Sequence, residues 1–140
     1  MEIDIRFGCL NIDWKTVSET LKLVKMAYYE PDIHQKAFKN SYVTVFVYHD
    51  NHLIGFGRAI SDGAYQAAVY DIAVVPEFQR KGIGTKIVKN ILSKLSQCNV
   101  ILYASPGKEE FYETLGLRKM KTGMALFKNA QRMKEKGFTE

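Results

Sequence analysis

The stretch from Asp71 to Val88, DIAVVPEFQRKGIGTKIV, most constrains what this chain can fold into. It begins apolar and β-branched, which suits an extended strand. Pro76 then interrupts the run, and a basic, glycine-containing turn follows. From Ile83 the apolar residues Ile87, Val88, Ile91, Leu92 and Leu95 recur at helical spacing, with Lys86, Lys89 and Lys94 on the other side. A strand feeding a helix through so short a turn is the unit of a layered α/β domain.

The other segments extend that unit. Ile3, Ile5 and Phe7 alternate with charged residues as in a short strand. Trp14, Val17, Leu21, Val24 and Tyr28 mark an amphipathic helix started near Asp13. Pro31 opens a second helix, with Ile33, Ala37 and Phe38 expected inward and Lys36 and Lys39 outward. YVTVFVY, Tyr42 to Tyr48, is apolar on both faces, as a buried strand is. Asp50-Asn51 turns it into a returning strand, Leu53 to Ile60, and Asp62-Gly63 leads to a third, Tyr65 to Val75. Val100 to Ala104 reads as a short strand, Glu109 to Leu115 as a helix stopped by Gly116, and Arg118 to Phe127 as terminal strand. Residues 128–140 are expected to form a C-terminal helix or a frayed tail. The sum is one mixed-sheet domain of α/β or α+β class spanning 1–140.

Composition narrows the function classes. The 140 residues allow one domain with a substantial core. The net charge of +5 is spread among fifteen acids rather than blocked, so it suits a solvated face or a small anionic ligand better than a nucleic-acid arm. No nucleic-acid motif is present. No apolar run reaches the roughly 18 residues that a membrane span needs. The start, Met1-Glu2-Ile3-Asp4, is acidic and lacks a secretory pattern, so a cytoplasmic protein is expected. Cys9 and Cys98 match no metal spacing and are expected as buried thiols, with one disulfide as the alternative.

The turn in the opening stretch has the chemistry of an anion site. A helix's first turn carries backbone N–H groups with no internal partner and the positive end of its macrodipole. Gly82 and Gly84 allow positive φ and close approach, and Arg80, Lys81 and Lys86 add charge. A phosphate or pyrophosphate cradle follows, with a bare packing turn as the alternative. The dinucleotide fingerprint fails, because Ile87 stands where its third glycine belongs, and the phosphate-loop lysine pattern is absent.

The segment IAVVPEFQRKGIGTKIV resembles the acetyl-CoA motif of the GNAT superfamily of N-acetyltransferases. In that motif an apolar strand ends in V-x-P, and Q/R-x-x-G-x-G/A opens a helix, filled here by Gln79-Arg80-Lys81-Gly82-Ile83-Gly84. A second hallmark, F-Y-x-x-L-G-F, is similar to Phe111-Tyr112-Glu113-Thr114-Leu115-Gly116-Leu117, with leucine last. The likeness covers nearly the whole chain. It implies the GNAT fold: a mixed, mostly antiparallel sheet flanked by about four helices and splayed into a V-shaped cleft.

The resemblance also implies roles. Pantetheine would add to the strand edge along Ile72, Ala73 and Val74. The pyrophosphate would rest on the loop from Gln79 through Arg80, Lys81, Gly82, Ile83 and Gly84 to Thr85. Ser105 stands where many members carry a cofactor-contacting Asn. Tyr112 is the implied acid for the departing thiolate, since a phenol with a pKa of about 10 is protonated at neutral pH. Some members carry a base on the third long strand near Ala68. Asp71 is the candidate here, with a structural carboxylate as the alternative, and Tyr28, Glu30 and Tyr70 are further cleft candidates. His34, His49 and His52 read as solvated positions. The implied activity is acetyl transfer from acetyl-CoA to a primary amine, without a metal. A non-catalytic acyl-CoA-binding module is the alternative, and homodimerisation is left open.

Overall fold

The computed structural model describes all residues from 1 to 140. The chain divides into two units, Met1–Leu102 and Tyr103–Glu140. The first runs β1 (Asp4–Phe7), α1 (Trp14–Leu23), α2 (Pro31–Lys39), β2 (Val43–His49), β3 (His52–Ser61), β4 (Gln66–Val74), a 3₁₀ turn (Pro76–Phe78), α3 (Ile83–Ser93) and β5 (Asn99–Ile101). Its sheet has the order β1-β2-β3-β4-β5, with every pair antiparallel except β4 and β5. The strand-rich, mostly antiparallel architecture expected from the sequence is the one observed.

Both faces of this sheet are covered, which explains why β2 is apolar without alternation. On one face Val43, Val45, Val47, Ile54 and Ala59 pack with Ile83, Ile87 and Ile91 of α3. On the other, Phe46, Phe56 and Ala73 pack with Val17 and Leu21 of α1 and Phe38 of α2. Trp14, Phe38, Phe46 and Phe56 form a tilted aromatic cluster, with neighbouring ring centroids 5.6 to 6.4 Å apart.

Local chemistry sets the helix ends. The Asp13 side chain accepts from the amides of Lys15 and Thr16 at 3.1 and 3.4 Å, a capped start. α1 closes at Val24, and Lys25 follows in a left-handed conformation. Tyr28, expected on the helix stripe, therefore lies beyond the helix and is exposed. In α2 the buried residues are His34 and Phe38, whereas Ile33, expected inward, is 47% exposed. Positions four apart share a helix face, so 34 and 38 are buried together. Cys9 and Cys98 are free thiols and only half-buried, not the buried pair expected.

The second unit carries α4 (Glu109–Glu113), followed by Gly116 at φ +94°, and α5 (Ala130–Glu135), where the Arg132 amide donates to Asn129 Oδ1. Tyr103, Phe127 and Phe138 cluster at 5.4 to 6.4 Å. Residues 118–127, expected as a strand, have no regular structure, and Met124 and Leu126 are each 95% exposed. A strand needs a ladder partner, and this unit contains no other strand.

Gly57 of β3 shows how closely α3 lies on the sheet. A Cβ there would fall 3.0 Å from Ile87 Cγ2 and 3.1 Å from Ile91 Cδ1, and would overlap Ile72 Cδ1. Gly57→Ala is therefore expected to lower unfolding free energy by about 1–3 kcal/mol in urea denaturation, as overpacked core sites do.

Candidate active site

β4 is the strand around which the expected cofactor residues gather. Along one edge it pairs with β3 over its length, but β5 meets it only at Gln66–Asn99, Ala67–Val100 and Ala68–Ile101. From Val69 to Val74 no strand covers that edge. β5 ends after these three pairs while β4 continues, and Ile72, Ala73 and Val74 lie on the stretch beyond its end. An uncovered edge offers unpaired N–H and C=O groups to an extended ligand.

A bulge interrupts β4 within that stretch. The register passes from Phe56–Ala73 to Arg58–Tyr70, so the single residue Gly57 opposes both Asp71 and Ile72. Asp71 takes the left-handed conformation, φ +59°. Ile72 packs toward the α3 core, while Asp71 reaches Arg58 of β3, whose Nε donates to Asp71 Oδ2 at 2.7 Å. The two side chains are 17% and 21% exposed. The same guanidinium donates to Ser41 Oγ at 3.4 Å and lies over the rings of Tyr70 and Phe38, 5.3 and 5.6 Å from their centroids. Asp71 had been expected as a base or as a carboxylate bonded to backbone; its observed partner is a guanidinium.

Beyond β4 the chain is tied down before it turns. The Val75 amide donates to the Ile54 carbonyl at 2.8 Å, and the Gln79 side-chain amide donates to the Val74 carbonyl at 2.9 Å. Arg80 and Gly82 then adopt φ +62° and +81°. The second left-handed residue is thus Arg80 rather than Gly84, which lies within α3. Nothing stands within 4 Å of a Cβ built on Gly82, so its backbone conformation, not crowding, asks for glycine. No side chain caps α3, and the first bond closing the helix runs from the Lys86 amide to the Gly82 carbonyl at 3.1 Å. The amides of Ile83, Gly84 and Thr85 are left at an open helix end, with Arg80 and Lys81 exposed before them.

Ser105 and Tyr112 belong to the second unit. The Ser105 carbonyl accepts from the Lys108 amide at 2.9 Å. Tyr112 stands on α4 beside Phe111, 4.9 Å between ring centroids, and burial pushes its phenol above the usual tyrosine range.

His34 was missed as a structured residue. It is 4% exposed, and its Nε2 accepts from the Tyr29 amide at 2.9 Å, which places the ring proton on Nδ1. Burial lowers its pKa; the Asp71 charge opposes that shift and the Arg58 charge adds to it. Ser18 Oγ donates to the Tyr29 carbonyl at 2.5 Å, so Tyr29 is held at both backbone groups. The i, i+4 pairing of His34 with Phe38 was the available signal. A groove of about 490 Å³, lined in part by Phe7, Cys9, Tyr42 and Lys94, contains none of the expected cofactor residues. No helix is long and apolar enough to cross a membrane.

The open β4 edge and the uncapped, glycine-opened α3 belong to one mixed α/β fold. Residues 15–131 match the acetyltransferase (GNAT) domain, and the chain belongs to that family. It is 32% identical over 120 residues to an uncharacterised N-acetyltransferase, ycf52, of Gracilaria tenuistipitata var. liui, covering 81% of this chain and 59% of that protein. It is 37% identical over 70 residues to the chloroplastic GCN5-related N-acetyltransferase 2 of Arabidopsis thaliana, covering 48% of this chain and 27% of that one. The chain thus spans less than two thirds of the length of these relatives. A GNAT-family acetyltransferase from Streptococcus pneumoniae superposes with a TM-score of 0.77 at 22% identity, over 90% of this chain and 98% of that one. Glucosamine-6-phosphate N-acetyltransferase of Arabidopsis thaliana superposes with a TM-score of 0.67 at 17% identity, covering 89% and 99%.

The neutral, buried His34 makes a pH prediction with a definite sign. Its folded pKa lies below the unfolded value of 6.5, so the unfolded chain binds more protons as pH falls. Its contribution is present above pH 6.5 and is lost as pH drops from there through the folded pKa. Urea midpoints for the parent chain are expected to fall more steeply below that pH than those of His34→Gln.

Proposed function

We propose that this chain binds acetyl-CoA and transfers its acetyl group to a primary amine by direct attack in a ternary complex. One arrangement supports this reading above the others: the uncovered β4 edge runs through Val74 into an uncapped α3 N-terminus, all within residues 69–85. An extended pantetheine has a strand edge to join, and a pyrophosphate has free amides and a helix dipole at the end of that edge. Ile72 to Val74 serve the first and Arg80 to Thr85 the second. Gln79 holds the turn by its bond to Val74.

In the reaction the neutral amine attacks the thioester carbonyl carbon, the C–N bond forms, and the C–S bond breaks with its electron pair on sulfur. Tyr112 gives its hydroxyl proton to the thiolate; the burial that raises its pKa keeps the phenol protonated at neutral pH. Asp71, adjoining the β4 edge, takes the proton that the amine loses. The acceptor is a small molecule such as an arylalkylamine, or a peptide amine. The exposed rings of Tyr28 and Tyr29 favour an acceptor with an apolar body.

The test is a thermal shift with CoA followed by thiol release from acetyl-CoA across an amine panel. CoA at a hundred times its Kd should add about 2.7 kcal/mol to the native state. Gly82→Asp with Gly84→Asp should abolish that shift; a full shift in the double variant would remove the cradle from this loop. Tyr112→Phe should keep the shift while turnover falls by about 10²–10⁴. A CoA shift with no thiol release from any amine would favour a non-catalytic acyl-CoA-binding module.

A further inference from the structure

We infer that Arg58 is a positioning residue of the transfer site, which acts through Asp71 to hold the β4 bulge in shape. The inference rests on the acetyl-transfer reading for its consequence and on the bulge itself for its physical basis. An L-residue at φ +59° is uncommon and persists only where its surroundings over-determine it. Asp71 is such a residue, and it occupies the first position of the bulge. The residue opposite, Gly57, has no side chain to hold it, and Ile72 Cδ1 fills the space a Cβ would take. The hold comes from one residue further along β3, where Arg58 Nε reaches across the bulge to Asp71 Oδ2.

Arg58 is itself held on several sides. Its second donor reaches Ser41 Oγ, next to the start of β2. Phe38, 1% exposed, supplies one aromatic contact, and Tyr70, its register partner on β4, supplies another. His34 lies within electrostatic reach of both ionic partners. A guanidinium meets all of these demands at once, because its planar fork serves two acceptors while its faces lie on rings; a lysine ammonium meets only some of them. The next residues, Ile72 to Val74, are those that the reading gives to pantetheine. Releasing Asp71 to an ordinary φ would rotate their N–H and C=O groups away from the open edge, so Arg58 acts on transfer without touching the reacting atoms.

The experiment compares Arg58→Met, Arg58→Lys and Arg58→Met/Asp71→Asn with the parent in the full chain. It reads backbone amide exchange, the CoA thermal shift, kcat, and the KM of the best amine acceptor. In Arg58→Met, exchange at residues 70–73 should rise roughly tenfold or more while the α3 amides keep their protection. Its kcat should fall by a similar factor, with a smaller change in acceptor KM. Arg58→Lys should recover part of both losses, and exchange at residues 70–73 in the double variant should be no faster than in Arg58→Met, since the two residues hold the bulge as a unit. The double variant's kcat falls further, because Asp71→Asn also removes the proposed base. If Arg58→Met does not fold, Arg58→Lys carries the same comparison with smaller shifts. Unchanged exchange at residues 70–73 in Arg58→Met, or exchange losses that simply add in the double variant, would overturn the inference. Failure of the parent chain to acetylate any amine would count against the transfer reading alone, because the exchange comparison still decides whether Arg58 holds the bulge.

Discussion

The first unit depends on an asymmetry in how β4 is bonded. One edge is paired with β3 from Ala67 to Val74, broken only by the bulge, and the other meets β5 at only three positions. The β3 side supplies rigidity, because β3 and β2 carry helices on both faces and their side chains fill two separate cores. The β5 side supplies availability, since polar backbone groups left unpaired there need a partner or water. A site built this way presents main-chain groups on a scaffold that cannot give way.

The bulge at Asp71–Ile72 is where rigidity and availability meet. It inserts one residue, sends neighbouring side chains to opposite cores and turns the backbone just before the open stretch. Such a conformation in a non-glycine residue costs free energy that surrounding contacts must offset. The Arg58–Asp71 ion pair, the rings beneath the guanidinium and the close packing around Gly57 are those contacts. α3 completes the arrangement: Ile87 and Ile91 lock it against β3, and its uncapped N-terminus adjoins the end of β4.

Where expectation and structure part, the cause is tertiary. Ile33 and His34 are adjacent, and only the docking of α2 by Phe38 decides which is buried. Hydrophobicity favoured Ile33, whereas packing took His34, which is accommodated because the Tyr29 amide satisfies its Nε2. Tyr28 continued the α1 spacing numerically, but the helix stops at Leu23 and a left-handed Lys25 turns the chain away. Gly84 was expected to share the positive φ of Gly82, yet the helix has already begun there and Arg80 takes the unusual conformation. Residues 118–127 have strand-like composition and no strand to pair with in their own unit.

By itself the sequence determined the element order from β1 to α4, the two-faced burial of β2, the amphipathic stripe of α3 and the glycine-opened turn before it. These are local properties: side-chain periodicity and backbone freedom act over a few residues and are written in their spacing. Only the tertiary structure decided that β5 leaves β4 after three pairs, that a bulge falls at Asp71, and that Arg58 meets it there. The β4–β5 register and the Arg58–Asp71 ion pair join residues thirteen or more apart, and no local preference in Arg58 or Asp71 announces the other. The glycine-opened loop proposed for a phosphate could be read from the chain, while the strand geometry proposed for a thioester had to be seen.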